Sequence, residues 1–423
     1  ASDATKRLYN YLCDQYGKHI ISGQQEYCGS HNYNLYADPT NFIKDNEAEF
    51  EYLMETTGKM CAIRGIDFLN YRSNATWDDN AAERTIQWVN EYNGIATVVW
   101  HWNVPSEKDG SEVAFYVKST GNSPYTTFSI TNALKEGTWE NDVLMADIEE
   151  IARQLKKLKD ADVPILWRPL HEAEGAWFWW GAEGPEACKE LYRLLYDKLT
   201  NEYGLDNLIW TWTGYTYETS ADWYPGDDVV DIVGYDKYNA VDGLPNLSSI
   251  SSTFYSLVQS TNGQKMVAMT ENDSIPSLEN LQNDKAGWLY FCPWYMNYLT
   301  SEQNNPVANL IELYNSEYCI TLDELPDLKK YEYSDIPNTS TSNSDVTLGD
   351  ANCDGNVDMS DAVLIMQSIA NPDKYGINGS EPTHITKQGK INADVAGKND
   401  GVTNTDALEI QKFKLKLIDD FNI

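Results

Sequence analysis

Two glutamates stand where apolar runs end. Glu172 closes the stretch Trp167-Arg168-Pro169-Leu170-His171-Glu172 behind the run Val163 to Leu166. It is followed at once by Ala173-Glu174-Gly175-Ala176-Trp177-Phe178-Trp179-Trp180. Glu271 closes a second run, Lys265-Met266-Val267-Ala268-Met269-Thr270-Glu271. A carboxyl group among aromatic rings holds its proton to higher pH, because burial disfavours the charged form, and a second carboxylate nearby reinforces this by like-charge repulsion. One protonated acid and one ionised carboxylate can together cleave an acetal, one giving a proton to the leaving oxygen and the other attacking the anomeric carbon. That division of labour needs the two groups about 5 to 5.5 Å apart. The plainer reading of each glutamate is an ion pair with a neighbour. Glu174, two residues beyond Glu172, has left the strand end and reads as a bystander.

The elements that would position the pair are eight short apolar segments. They are His19 to Glu26, Cys61 to Asp67, Ile95 to Asn103, Val163 to Leu166, Leu208 to Thr213, Val229 to Asp236, Lys265 to Asp273 and Trp288 to Tyr295. Between them lie helical stretches, among them Asn80 to Asn90, Leu144 to Lys159, Pro185 to Glu202 and Ile250 to Val258, and a first one spans Ala4 to Tyr16. Short, nearly all-apolar strands alternating with helices imply a parallel sheet buried on both faces, and eight of them suggest a closed (β/α)8 TIM barrel of the α/β class. An open doubly wound sheet is disfavoured, since no Gly-rich phosphate turn follows the first strand. In a barrel the chemistry sits at the carboxyl ends of the strands. Glu172 then ends strand 4 and Glu271 strand 7, on opposite sides of the mouth. The polar excursion Pro105 to Trp139 is too long for an ordinary connection and reads as a rim insertion over the site.

Composition narrows the partners. Aromatic residues make up 12 % of the 423, with 14 Trp and 28 Tyr, and planar side chains suit a groove for flat pyranose rings. The formal charge of −34 excludes nucleic acid and anionic membrane surfaces, which need a Lys/Arg field, and is compatible with a neutral polymer and with calcium. The seven cysteines (Cys13, Cys28, Cys61, Cys188, Cys292, Cys319 and Cys353) lack any Cys-x-x-Cys spacing and read mostly as small buried hydrophobes. No apolar run approaches the roughly 18 residues of a membrane span.

Arg-Pro-x-His-Glu followed by Gly-x-Trp-Phe-Trp-Trp-Gly, present at Arg168 to Gly181, resembles the signature of glycoside hydrolase family 26. The resemblance extends to Trp100-His101-Trp102-Asn103, Gly234-Tyr235-Asp236 and Thr270-Glu271-Asn272, over roughly residues 5 to 330. It implies that Glu172 is the acid/base and Glu271 the nucleophile of a retaining enzyme, with no cofactor in catalysis. It implies also that Tyr235 orients Glu271, that His101 and His171 contact the sugar being cleaved, and that Trp177 and Trp294 stack near it. Arg168 reads as a holder of a carboxylate. The implied substrate is β-1,4-mannan, glucomannan or galactomannan. Mixed-linkage β-glucan or β-1,3-xylan is the alternative within the family, and a non-catalytic polysaccharide-binding protein the alternative outside it.

Composition shifts after Tyr331. Residues 1–331 form the expected catalytic domain, 332–345 a Ser/Asn/Thr-rich linker, and 346–423 a second domain. In that domain Asp350, Asn352, Asp354, Asn356, Asp358 and Asp361 place oxygen side chains along a twelve-residue loop with Gly355 at its sixth position, the pattern of an EF-hand calcium loop. A helical run, Ala362 to Ile369, follows. A second, thirteen-residue copy supplies Asp394, Asp400, Asn404 and Asp406 before the helical run Ala407 to Leu417. Duplicated loop–helix units resemble a dockerin, which implies structural Ca2+, a cohesin module of a scaffold as partner, and a secreted, cellulosome-associated enzyme whose leader has been removed. Met359-Ser360 and Asn404-Thr405, at the loop exits, are candidates for partner recognition. A monomeric catalytic domain is expected.

Overall fold

The computed structural model describes residues 1–27, 47–76, 78–240, 243–261, 263–332, 347–353, 355–381, 383–396, 401–418 and 420–421. The chain divides into two compact units, Ala1–Tyr333 and Ser334–Ile423. Apart from Glu332, the expected linker lies outside the described residues, as do Cys28, Asp354 and Asp400.

The first unit is an eight-stranded parallel sheet in sequential order. Its strands are β1 (Gly23–Gln25), β2 (Ile63–Asp67), β3 (Ile95–Trp100), β4 (Ile165–Pro169), β5 (Leu208–Thr213), β6 (Ile232–Lys237), β7 (Met266–Asn272) and β8 (Phe291–Pro293). Its two edges meet. Ile21 bridges Tyr290 in parallel, and the Ile21 amide donates to the Leu289 carbonyl at 3.0 Å. The sheet is therefore a nearly closed (β/α)8 barrel. The expected first strand is broken at Ser22, since Ile20–Ile21 pairs instead with a short late strand, Cys319–Ile320. The Ser22 hydroxyl donates to the Ile320 carbonyl at that break.

Helices α1 (Asp3–Gln15), α2 (Ala48–Thr57), α3 (Ala81–Tyr92), α4 (Trp139–Asp160), α5 (Pro185–Tyr196) and α6 (Ser251–Ser260) carry most of the remaining apolar faces. Only a 3-10 turn, Ser220–Trp223, follows β5 in place of a full helix. Helix α1 starts on Ser2, whose hydroxyl accepts the Thr5 amide. It does not lie on the barrel wall. Its Leu8, Tyr11 and Leu12 pack against Ile21, Ile63, Ile95, Leu166, Ile209, Ile232 and Met266, the inward residues at the amino ends of the strands. The floor of the barrel is thus apolar and plugged, which leaves the opposite mouth for polar groups.

Strand alternation then predicts what fills the upper barrel. From Leu166 two residues lead to Arg168, and from Ile232 four lead to Asp236. Both side chains are buried inside, within hydrogen-bond reach of each other. The excursion between β3 and α4 forms a short antiparallel hairpin, Val104–Pro105 with Val113–Ala114, and then reaches the mouth, where Tyr116 bridges Phe178.

The second unit is small and helical, with Met359–Ala370, Pro372–Tyr375, Lys387–Ala393 and Asn404–Lys414. Its core joins Ala362 and Ile365 of the first helix to Ala407 and Ile410 of the last, with Ile385, Ala393 and Val395 between them. Six cysteines are described, none of them in a disulfide, and Cys61, Cys188, Cys292 and Cys319 are buried.

Candidate active site

Glu172 is placed by a backbone that most residues avoid. Leu170 and Glu172 both adopt left-handed conformations, each at φ 52°. Such a geometry costs about 1–3 kcal/mol per residue and persists only where surrounding contacts enforce it. Leu170 is buried, the Trp180 indole donates to the His171 carbonyl at 2.8 Å, and Gly181 lies so close to the Ala173 carbonyl that a Cβ would stand 1.9 Å from it. The run of tryptophans after Glu172 therefore clamps the turn that aims it. Only Trp177 of that run reaches the carboxyl: its Nε1–H donates to Glu172 Oε2 at 3.1 Å, while the Tyr215 hydroxyl donates to Oε1 at 3.4 Å.

Glu271 depends on an irregularity. In β7 the inward residues are Met266, Ala268 and Thr270, so strict alternation would turn Glu271 outward. The register against β6 slips by one residue between Met269 and Glu271, which pairs Glu271 with inward-facing Asp236. Both Thr270 and Glu271 then face the interior, as a bulge beside a functional site permits. The Thr270 hydroxyl donates to Asp236 Oδ1 at 2.6 Å.

Arg168 organises the charges. Its Nη1 donates to Asp236 Oδ2 at 2.9 Å and to the Thr213 hydroxyl at 3.1 Å, and its Nη2 donates to Glu271 Oε1. The Tyr238 hydroxyl donates to the other oxygen, Glu271 Oε2, at 2.8 Å. Two carboxyl groups thus share one guanidinium, and the third, Glu172, makes no ion pair among the described residues. Burial first, then the charges of Asp236 and Glu271, push the Glu172 carboxyl up to about 9. One proton held by the set at neutral pH accordingly resides on Glu172. Asp236 is raised too by burial, with Arg168 opposing.

On the other wall His101 Nδ1 meets Asp67 Oδ2 at 2.7 Å, and the His101 amide donates to Asp67 Oδ1. Its Nε2 lies 3.1 Å from His171 Nε2. Burial works against a charge on His101, and the Asp67 carboxylate more than offsets it, whereas burial, His101 and Arg168 together hold His171 neutral. His101 Nδ1–H therefore donates to Asp67, and one hydrogen bond joins the two Nε2 atoms. The ring of Trp294 stands 5.7 Å from that of His101.

The sequence-expected residues Glu172, Glu271, Arg168, His101, His171, Trp177 and Trp294 thus gather at one end of the barrel. The bond to Glu271 expected of Tyr235 is made by Tyr238. Residues 234, 236 and 238 share one parity, with Asp236 pointing inward, so Tyr235 turns away and packs on Tyr215 and Trp288. Tyr238, Tyr215 and Asp67 carried no role in the sequence reading. Their signal was the same alternation, since Tyr215 follows inward Thr213 by two residues.

In the second unit the loop beginning at Asp350 turns at Gly355 (φ 87°), whose amide donates to Asp350 Oδ2 at 2.9 Å. Asp361 accepts the amides of Asn352 and Asp358. In the second loop Gly401 (φ 86°) donates to Asp394 Oδ2, and Asp406 accepts the amides of Val395 and Thr403. The helix caps put Thr403, rather than Asn404, in the place that Asp358 occupies in the first loop. Asn356 lies in the first loop beside Gly355. All these donors are hard oxygens, the chemistry that calcium takes. Among the described residues no three His, Cys, Asp or Glu side chains are gathered as a metal cage. Nor, among them, is any helix long and apolar enough to cross a membrane.

Residues 1–324 match the family described as glycosyl hydrolase family 26. A mannan endo-1,4-beta-mannosidase of Thermothelomyces thermophilus is 38 % identical over 335 residues, covering 77 % of this chain and 62 % of the relative. Two Piromyces enzymes of the same name are covered over 54 % and 50 % of their lengths, so the chain spans only part of these relatives. Among solved structures, a ruminal endo-beta-1,4-mannanase superposes with a TM-score of 0.71 at 43 % identity, over 77 % of this chain and 69 % of that one. A beta-mannanase from a symbiotic protist of the termite Reticulitermes speratus, complexed with gluco-manno-oligosaccharide, gives 0.68 at 35 % identity, over 77 % and 96 %.

Proposed function

The chain belongs to glycosyl hydrolase family 26, and from that premise we propose that it is a retaining endo-β-1,4-mannanase. The observation that carries the reading is the charge arrangement around Arg168, which pairs with Asp236 and Glu271 and leaves Glu172 to hold the proton. In the first step Glu271 attacks the anomeric carbon while Glu172 protonates the departing glycosidic oxygen. Arg168 and Tyr238 fix both oxygens of Glu271, so its attack needs no reorientation. Glu271 becomes a neutral ester as Glu172 becomes a carboxylate. The buried set keeps the same net charge throughout, and Glu172 is then ready to take a proton from water. Trp177 can only donate, so it binds Oε2 in either state, whereas the Tyr215 hydroxyl beside Oε1 can donate to the carboxylate or accept from the carboxyl, which leaves Oε1 to carry the mobile proton.

Mannan as substrate is supported by the relatives' activity and by two adjacent histidines able to meet an axial hydroxyl. The second unit reads as a calcium-ordered dockerin that attaches the enzyme to a scaffold cohesin outside the cell. Asp350, Asp361, Asp394 and Asp406 would hold the ions, and these would neutralise the clustered carboxylates and order the loops. The deciding experiment is product release from galactomannan, glucomannan, lichenan and xylan side by side. Turnover confined to the mannose-containing polymers is expected. Faster turnover of lichenan or xylan would overturn the substrate assignment.

A further inference from the structure

The proposed chemistry leaves one connected piece of the mouth without a role. Beyond β5 the chain passes through Tyr215, whose hydroxyl reaches Glu172, to Tyr217. The two rings lie nearly parallel, 21° apart with centroids 5.7 Å apart, and Tyr217 is 66 % exposed. A large aromatic face held out in water on the acid's side of a cleft is unexplained by packing. Nor is its position left to a floppy loop. The Tyr217 amide donates to the Ser220 hydroxyl at 2.9 Å, and that hydroxyl donates to Glu174 Oε1 at 2.8 Å. Glu174 belongs to the 3-10 turn Ala173–Gly175 that directly follows the acid. A tie between the turn bearing the acid and the loop bearing Tyr217 keeps the two in register.

On the reaction proposed above, Glu172 gives its proton to the leaving oxygen, so the departing part of the glycan emerges on the side of Glu172. Tyr238 and Trp294 lie instead with Glu271 and His101. We infer that Tyr217 is a stacking platform for a sugar unit on the leaving-group side of the cleft, and that Glu174, acting through Ser220, is the positioning residue that holds it there. The ring offers an apolar face to the flat side of a pyranose, and Tyr215 backs it so that stacking costs little reordering.

The inference rests on the glycosidase reading, and one experiment separates the two. The full chain is given a β-1,4-mannopentaose labelled at its reducing end, and the bond cleaved is read by mass spectrometry. Losing a platform on the leaving side disfavours binding modes with several sugars there. Tyr217→Ala is therefore expected to raise the share of cleavage at bonds nearer the reducing end by about threefold or more, the scale of one aromatic contact. Glu174→Ala should shift the pattern in the same direction, and Glu174→Gln, which keeps an acceptor for Ser220, should restore the wild-type pattern. A uniform loss of rate with the pattern unchanged, no effect, or a shift toward the non-reducing end overturns the platform. A shift in Tyr217→Ala but not in Glu174→Ala overturns the positioning role. A wild type that leaves the pentaose intact overturns both this inference and the mannanase reading.

Discussion

Replacing the acid should stabilise the protein, and by an amount that depends on pH. Burial and the neighbouring carboxylates move Glu172 from 4.5 to about 9, so the folded state holds a proton that the unfolded chain releases. Because the folded value lies above the unfolded one, wild-type stability is undiminished below about pH 4.5. It then falls, relative to a permanently neutral side chain, as pH rises toward 9. Each unit is worth about 1.36 kcal/mol, which gives about 4 kcal/mol at pH 7.5 as an upper limit. The residue is only partly buried, and solvent at the cleft screens the charge, so we expect about 1–3 kcal/mol. Glu172→Gln keeps an acceptor for Trp177 and loses the titration. All 14 tryptophans precede residue 295, so their fluorescence follows unfolding of the first unit alone. In urea melts from pH 4.5 to 8.5, the variant should match the wild type at the acid end and exceed it increasingly toward the alkaline end. A variant no more stable at pH 8 than the wild type, or a gain that does not vary with pH, would refute the reasoning.

Tyr238→Phe removes one of the two donors on Glu271 and should lower kcat by about tenfold to a hundredfold, the worth of one hydrogen bond to a charged group. Steady-state kinetics check it, and Tyr235→Phe, which makes no bond to Glu271, should cost far less. Chelation of calcium should loosen amide-exchange protection around Asp350–Asp361 and Asp394–Asp406 while leaving the tryptophan signal of the first unit unchanged. Loss of both together would place calcium in the barrel as well.

Much of this architecture was legible in the sequence because a parallel barrel writes itself as short apolar runs, and all eight were found. What the runs could not reveal were departures from regularity. The break at Ser22 is set by a distant partner, Cys319–Ile320, which no local pattern marks. Glu271 faces the cleft only because β7 slips register at Thr270, a bulge invisible in an apolar run. The motif placed Glu172 correctly, yet its proton is explained by Arg168 choosing two other carboxylates, a matter of three strands converging. The exchange of Tyr235 for Tyr238 was within reach of strand parity once Asp236 was known to point inward. Thr403 caps its helix as Asp358 caps the first, an equivalence that the thirteen-residue spacing of the second loop does not mark.

The division of roles between Glu172 and Glu271 is tested most directly by trapping the covalent intermediate. An activated 2-deoxy-2-fluoro β-mannoside slows both steps but spares the leaving group, so the glycosyl-enzyme accumulates. Peptide mapping by mass spectrometry should find the sugar esterified to Glu271. A label on Glu172 or Asp236, or hydrolysis that inverts the anomeric centre with no adduct formed, would contradict the account.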